Sequence, residues 1–163
     1  MLAKTFLLLC GIHAAFCAAE WRTVGYGCVG ARDTKFLALR YTGQSGFVSA
    51  FRMTHTSGKL GCYQAAQSNW GCNHQGLNMF VTDTENTIMY PSPVLTKPYK
   101  AGGWYRLPGY YHNSPQLVLS DVGTRFIYQN QAIRIWYGED LYDYTESDNH
   151  GKTCFKAHFY FVN

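Results

Sequence analysis

The segment Cys154-Phe155-Lys156-Ala157-His158-Phe159-Tyr160-Phe161-Val162 alternates between two kinds of side chain. One set is apolar and consists of Phe155, Ala157, Phe159 and Phe161. The other set faces the opposite way and consists of Cys154, Lys156, His158 and Tyr160. A period of two is typical of a β-strand with one buried face. The segment therefore predicts a C-terminal strand that packs its phenylalanine face against a core.

Similar short apolar segments recur along the chain, and turn residues separate them. They predict strands over 36–41, 47–54, 77–82, 87–90, 116–119, 125–128 and 132–137. Turns are predicted at 42–46 and 56–59, and no segment shows a helical period with caps. The pattern predicts an all-β protein, a jelly-roll-like antiparallel β-sandwich of about seven to nine strands, with a closed β-barrel as the alternative.

The strand over 47–54 shows how side chains are assigned to faces. Strict alternation puts three apolar side chains on one face, Phe47, Phe51 and Met53. It puts Val48 and Arg52 on the other face. This assignment assumes that nothing interrupts the pleat of the strand.

Composition limits the classes of protein that this chain can belong to. The 163 residues carry a net charge of +4, with 47% hydrophobic, 17% aromatic and only 15% charged residues. The length predicts one domain, and the many aromatic residues exclude intrinsic disorder. Because the sequence has no run of Lys or Arg, we expect no nucleic-acid partner.

The N-terminus predicts secretion. A short segment with one cation precedes an apolar run over 5–16. That run is too short to cross a bilayer, which needs about 20 helical residues. It is typical of a signal peptide over 1–17, with cleavage after Cys17 or Ala19. We therefore predict an extracellular protein with no transmembrane segment and a single β-sandwich domain over 18–163.

Four cysteines remain after the predicted signal peptide, and an even number in a secreted chain indicates two disulfides. We favour Cys62–Cys72, which closes a short loop, and Cys28–Cys154, which joins the first strand to the last. A zinc site that uses Cys72 and His74 is disfavoured, because the chain has no Cys-x-x-Cys pair.

The segment over 138–151 is a candidate metal site. It holds five of the ten acidic residues, Glu139, Asp140, Asp143, Glu146 and Asp148. Hard oxygen ligands in a glycine-containing loop suit calcium, although the spacing is not that of an EF-hand. One alternative is a solvated loop neutralised by Arg134 and Lys152 or fixed by carboxylate-to-backbone bonds. Another is a contact surface for a basic partner.

Two aromatic segments, over 69–74 and 103–112, form a candidate ligand site. Aromatic rings stack on sugars, and polar side chains bind hydroxyl groups. The candidate ligand-binding residues are Trp70, Asn73, His74, Trp104, Tyr105, Tyr110 and Tyr111. The alternative is that these rings close the ends of the sandwich as part of the core.

Catalytic motifs are absent from the sequence. It has no Gly-x-Ser-x-Gly, no His-Glu-x-x-His and no phosphate-binding loop. The cysteines are expected to be paired, so no thiol nucleophile remains. We therefore expect a protein that is not an enzyme.

Several segments together resemble a known group of proteins. They are Gln131–Leu141, Tyr144–Asn149, Gly151–Cys154, Asn69–Cys72 and Leu107–Tyr110. Together they resemble secreted modules of cnidarians and other marine invertebrates that occur among extracellular, venom and skeletal or shell matrix proteins. The resemblance implies an extracellular β-rich module and no specific reaction.

These observations favour a secreted binding module whose partner is an extracellular glycan or a matrix protein, with calcium as the candidate cofactor. One alternative is a structural skeletal or shell matrix protein, although proteins that nucleate mineral are strongly acidic and this chain is slightly basic. The other alternative is a secreted toxin or defence protein, although the sequence shows no amphipathic helix that could insert into a membrane.

Overall fold

The computed structural model describes residues 18–72, 76–94 and 101–162. The predicted signal peptide over 1–17 and the candidate ligand residues Asn73 and His74 lie outside these ranges. Within them, no helix has both the length and the apolar character needed to cross a membrane.

The described chain consists almost entirely of strands joined by turns. In chain order the strands are β1 (Glu20–Gly30), β2 (Leu37–Arg40), β3 (Gly46–Tyr63), β4 (Ala66–Ser68), β5 (Gly71–Cys72), β6 (Gly76–Leu77), β7 (Met79–Thr82), β8 (Ile88–Tyr90), β9 (Gln116–Ile127), β10 (Ala132–Tyr137) and β11 (His150–Val162). One short helix, α1 (Gly138–Leu141), follows β10. Two 3-10 turns span Ala101–Gly103 and Glu146–Asp148.

Two antiparallel sheets contain nearly all of these strands. The first has the order β1-β11-β3-β4, and β9 pairs with the first half of β3. The second has the order β2-β10-β7-β8, and β5 and β6 form a small separate pair. The predicted antiparallel sandwich is therefore confirmed, and the sheets do not close into a barrel. Nine of the described strands have three or more residues, and two are two-residue strands.

The C-terminal strand β11 lies in the middle of the first sheet. It pairs with β1 on one side and with β3 on the other along almost its whole length. Its phenylalanine face is buried as predicted, and the Phe159 ring packs 5.1 Å from Phe51 and 5.9 Å from Tyr41. Full burial of a phenylalanine contributes about 1.5–3 kcal/mol. This one strand therefore anchors the core to both of its neighbours.

A β-bulge in β3 overturns one predicted assignment of faces. The pairing register with β11 shifts between Val48 and Ala50, which leaves Ser49 as the extra residue. Val48 is fully buried, whereas Phe47 is 52% exposed. The predicted placement of Phe47 on one face with Phe51 and Met53, and of Val48 on the other, was therefore wrong, because a bulge reverses the alternation on one of its sides.

The predicted turn at 56–59 was also wrong, since β3 continues through it to Tyr63. Gly58 makes this possible with a φ of 75°, beside Thr153 in β11. The two strands predicted over 116–119 and 125–128 belong to one strand, β9, whose register shifts between them. Pairing with a long neighbour thus extends strands through segments whose local composition favours turns.

Both predicted disulfides are present. Cys28–Cys154 joins β1 to β11 across 126 residues of sequence, and Cys62–Cys72 joins β3 to β5 across 10 residues. On a chain-entropy estimate the long loop contributes up to about 5 kcal/mol and the short one up to about 3 kcal/mol. The first bond therefore reinforces the central pairing of the first sheet.

We expect the substitution Gly58→Ala to destabilise the protein by about 1–3 kcal/mol. The φ of Gly58 is positive, and a Cβ atom there would collide with the backbone carbonyl of Lys152. The measurement is urea-induced unfolding. The control is Gly123→Ala, where a Cβ atom has no neighbour within 4 Å. Equal losses of stability in the two variants would contradict this account of β3.

Candidate functional site

The acidic segment forms one end of the sandwich, between β10 and β11. Glu139 and Asp140 lie on α1, and Glu146 and Asp148 lie on the following 3-10 turn. Asp143 lies between these elements with a φ of 53°. The segment therefore folds back on itself, and its carboxylates point to more than one place.

Asp140 and Glu146 have structural roles. The N–H groups of Thr34 and Lys35 donate to the two carboxylate oxygens of Asp140 at 2.7 and 3.0 Å. The N–H of Asp33 donates to Glu146 Oε2 at 3.1 Å. Burial raises the pKa of Asp140, and these backbone bonds oppose the rise. The two carboxylates thus hold the turn between β1 and β2, as one of the sequence alternatives proposed.

Glu139 has an oxygen atom with no such role. Its Oε1 accepts a hydrogen bond from the indole N–H of Trp104 at 3.1 Å. Its Oε2 is buried and has no hydrogen-bond partner among the described residues. Burial raises the pKa of Glu139, interactions with the side chains of Trp104 and Asn149 oppose the rise, and the negative charges of Asp148 and Glu146 add to it. A buried acceptor without a partner costs about 1–3 kcal/mol, and a hydroxyl donor or a cation would remove that cost.

The hydroxyl of Tyr137 adds a second polar atom of this kind. It is buried and has no partner among the residues described. Burial raises its pKa well above the usual value, and the negative charges of Glu139 and Asp148 contribute. This end of the sandwich therefore combines negative charge with buried polar atoms whose hydrogen bonds are unmade.

A pocket of about 450 Å³, here called the acidic pocket, opens beside Glu139. Its lining consists of Cys62, Tyr63, Ala101, Trp104, Glu139, Tyr144, Thr145 and Asp148. A neighbouring depression shares Asp148 and is otherwise lined by Arg32, Gln64, Gln67, Ser147, Asn149 and His150. Two carboxylates, two exposed tyrosine rings and a hydroxyl thus face one concave site.

The five candidate calcium ligands do not all meet. Within residues 18–72, 76–94 and 101–162, no three His, Cys, Asp or Glu side chains gather in a geometry that could hold a metal ion. Glu139 and Asp148 line the same pocket. A calcium ion beside them would need backbone carbonyls, water or ligand hydroxyls to reach its usual six to eight oxygens.

Two of the candidate aromatic residues belong to the core. The Trp70 indole N–H donates to the carbonyl of Ser114 at 2.6 Å, and the Tyr105 hydroxyl donates to the carbonyl of Met79 at 2.7 Å. Both rings have no exposed surface. Trp104 is also buried, but it lines the acidic pocket and orients Glu139. We therefore assign Trp70 and Tyr105 to packing and Trp104 to positioning.

Tyr110 and Tyr111 lie in a different depression, here called the tyrosine pocket. It has a volume of about 700 Å³ and is lined by Gly76, Leu77, Arg106, Leu107, Pro108, Gly109, Tyr110, Tyr111 and His112. Tyr111 is 60% exposed. The structure therefore divides the sequence candidates between two separate pockets.

Sequence reasoning missed three residues that line the acidic pocket, Tyr63, Tyr144 and Thr145. Tyr144 and Thr145 lie inside the acidic segment, so their position was a usable signal. Tyr63 directly follows Cys62 in β3, and only the fold brings it to Glu139.

The chain is similar to a solved structure of a sea anemone protein. AJLec from the sea anemone Anthopleura japonica has 31% sequence identity and a TM-score of 0.80, and the match covers 88% of this chain and 98% of that one. No protein-family model matches the sequence, and a search of curated proteins finds no match. A sea anemone is a cnidarian, so the resemblance to cnidarian β-rich modules is confirmed at that level.

We expect Glu139→Gln to raise the melting temperature near pH 7 in EDTA. A raised pKa means that the folded state favours the neutral carboxyl, so wild-type stability is lost as pH rises through that pKa. Glutamine stays neutral at every pH. The difference in melting temperature between the variant and the wild type should therefore vanish at about pH 4, where a glutamate is normally protonated. The control is Glu85→Gln at an exposed turn. A benefit for Glu139→Gln that does not depend on pH would contradict this explanation.

Proposed function

We propose that this chain, which belongs to the same family as AJLec, is a lectin-like protein that binds carbohydrate and has no enzymatic activity. The name AJLec indicates a lectin, and it supports carbohydrate as the ligand class. The observation that carries the proposal is the acidic pocket, in which Glu139 and Asp148 lie beside the exposed rings of Tyr63 and Tyr144.

The acidic pocket has the chemistry that sugar binding needs. Tyr63 and Tyr144 are 42% and 41% exposed, so their rings are accessible to the apolar face of a sugar ring. The carboxylates of Glu139 and Asp148 are acceptors for sugar hydroxyls.

We propose calcium as the cofactor of this pocket. Burial is the main cause of the raised pKa of Glu139, and the negative charge of Asp148 adds to it. A divalent cation beside the two carboxylates would favour their charged forms. Since Glu139 and Asp148 supply few of the oxygens that calcium requires, the remaining positions are open to water and to sugar hydroxyls. In this role Trp104 holds the Glu139 carboxylate in position.

An extracellular setting fits this function. Two disulfides form and persist in oxidising compartments, which include the extracellular space. We therefore propose that the chain is secreted, with the segment over 1–17 as its signal peptide, and that its partners are glycans of cell surfaces or of the extracellular matrix.

The first experiment is a glycan array probed with the oxidised protein in millimolar calcium and again in EDTA. We expect binding in calcium and loss of binding in EDTA. Glu139→Gln and Asp148→Asn should each reduce binding at least about tenfold, which is about 1.4 kcal/mol. The control Glu85→Gln, at an exposed turn, should bind like the wild type.

Thermal unfolding separates the metal from the sugar. Calcium at about 100 times its dissociation constant adds about 2.7 kcal/mol, which is a rise in melting temperature of about 5–10 °C. If glycan binding persists in EDTA and calcium does not raise the melting temperature, the proposed role of calcium is refuted, and the proposed carbohydrate binding stands. An array with no bound glycan in either condition would refute the lectin.

A pair of tyrosine substitutions distinguishes the two pockets. We expect Tyr144→Ala to weaken glycan binding by about 1–2 kcal/mol, because a stacked ring is lost from the acidic pocket. Tyr111→Ala, in the tyrosine pocket, should leave binding unchanged. Titration calorimetry with a glycan selected from the array measures both. If Tyr111→Ala weakens glycan binding and Tyr144→Ala does not, the sugar binds in the tyrosine pocket.

A further inference from the structure

The outer face of the first sheet, which points away from the core, carries the polar side of β11. Here Lys156 is exposed, and His158 and Tyr160 are partly exposed, while their neighbours along the strand are buried. Strands β1 and β3 flank β11 on this face and extend it on both sides.

Positive charge follows β11 and β3 along this face. Lys152 lies opposite Lys59, and Arg52 lies opposite His158, whose imidazole is not counted among the charges. Lys156 lies between these two pairs. At about 3.3 Å per residue, the charges span about 20 Å in a line along the strand.

No carboxylate neutralises this line within the described chain. The acidic residues in the described strands of the first sheet are Glu20 and Asp121, and both are paired with arginines, at 2.8 Å and 3.7 Å. None of the cations along β11 and β3 takes part in an ion pair with a described residue. The positive charge on the outer face is therefore uncompensated.

The neighbouring cations also affect the pKa of His158. Burial lowers the pKa of its imidazole, and the charges of Arg52 and Lys156 lower it further. Its Nδ1 and the Nε of Arg52 are buried and have no hydrogen-bond partner among the described residues.

Aromatic rings accompany the cations. Trp21 and Tyr160 have ring centroids 5.0 Å apart, and the Arg52 guanidinium lies 4.3 Å from the Trp21 ring. This stacking holds Arg52 in place without neutralising it. At one end of the face, the exposed rings of Phe47 and Phe126 pack 5.0 Å apart.

We propose that the outer face of the first sheet binds a linear polyanionic glycan, such as a sulfated polysaccharide, along β11. Cations in a line match charges repeated along an extended chain, and the exposed rings of Phe47 and Phe126 offer contacts for sugar rings. The carboxylates of the acidic pocket would repel such a chain, so the two sites take different ligands. This second binding site goes beyond the proposed lectin function and does not depend on it.

The experiment measures binding of dextran sulfate and of neutral dextran across a series of salt concentrations. EDTA is present throughout, so that a calcium-dependent pocket does not contribute. We expect binding of dextran sulfate alone. In Lys152→Ala with Lys156→Ala, affinity at low salt should fall at least about tenfold, and the slope of log affinity against log salt should fall by about two, one for each cation.

The matched control is Arg40→Ala with Arg106→Ala, which removes the same charge from β2 in the second sheet and from the tyrosine pocket. It should bind dextran sulfate like the wild type. Equal losses in the two double variants would overturn the proposal. So would tighter binding to anionic phospholipid vesicles or to a single-stranded oligonucleotide, or a dimer that buries the outer face and excludes dextran sulfate.

Discussion

The pairing of β11 with two neighbours at once is the constraint on which the rest of the structure depends. This strand bonds to β1 and β3, and its phenylalanine face is the middle of the core. Because a strand paired on both edges cannot shift without exposing that face, the register of three strands is fixed together. The Cys28–Cys154 bond then ties the same pairing covalently.

Fixing β11 also fixes the surfaces that surround it. Its first residues follow the acidic segment, so the acidic pocket forms where β10 ends and β11 begins. Its polar side forms the centre of the outer face. Acidic groups therefore gather at one end of the sandwich, and unpaired cations lie along one face. A single strand thus separates two electrostatic environments in a chain whose net charge is only +4.

Unmade hydrogen bonds separate functional groups from structural ones in the acidic segment. Asp140 has the same chemistry as Glu139, but both of its oxygens receive backbone hydrogen bonds. One oxygen of Glu139 is buried and receives no such backbone hydrogen bond. The number of carboxylates in the loop does not by itself indicate a ligand, because two of the five, Asp140 and Glu146, stabilise the turn between β1 and β2.

The sequence by itself determined the fold class and the number of disulfides, because a period of two and an even cysteine count are local or countable properties. The pairing of the four cysteines depends on which strands are neighbours. Only the tertiary structure decided which face Phe47 occupies, since a bulge depends on the partner strand. It also decided that Asp140 supports a turn and that Tyr63 reaches Glu139. Lys59 and Lys152 are far apart in sequence and become neighbours because β3 pairs with β11. The sequence therefore contains no run of basic residues from which the charged face could be predicted. Contacts between distant segments carry these properties, and local composition does not encode them.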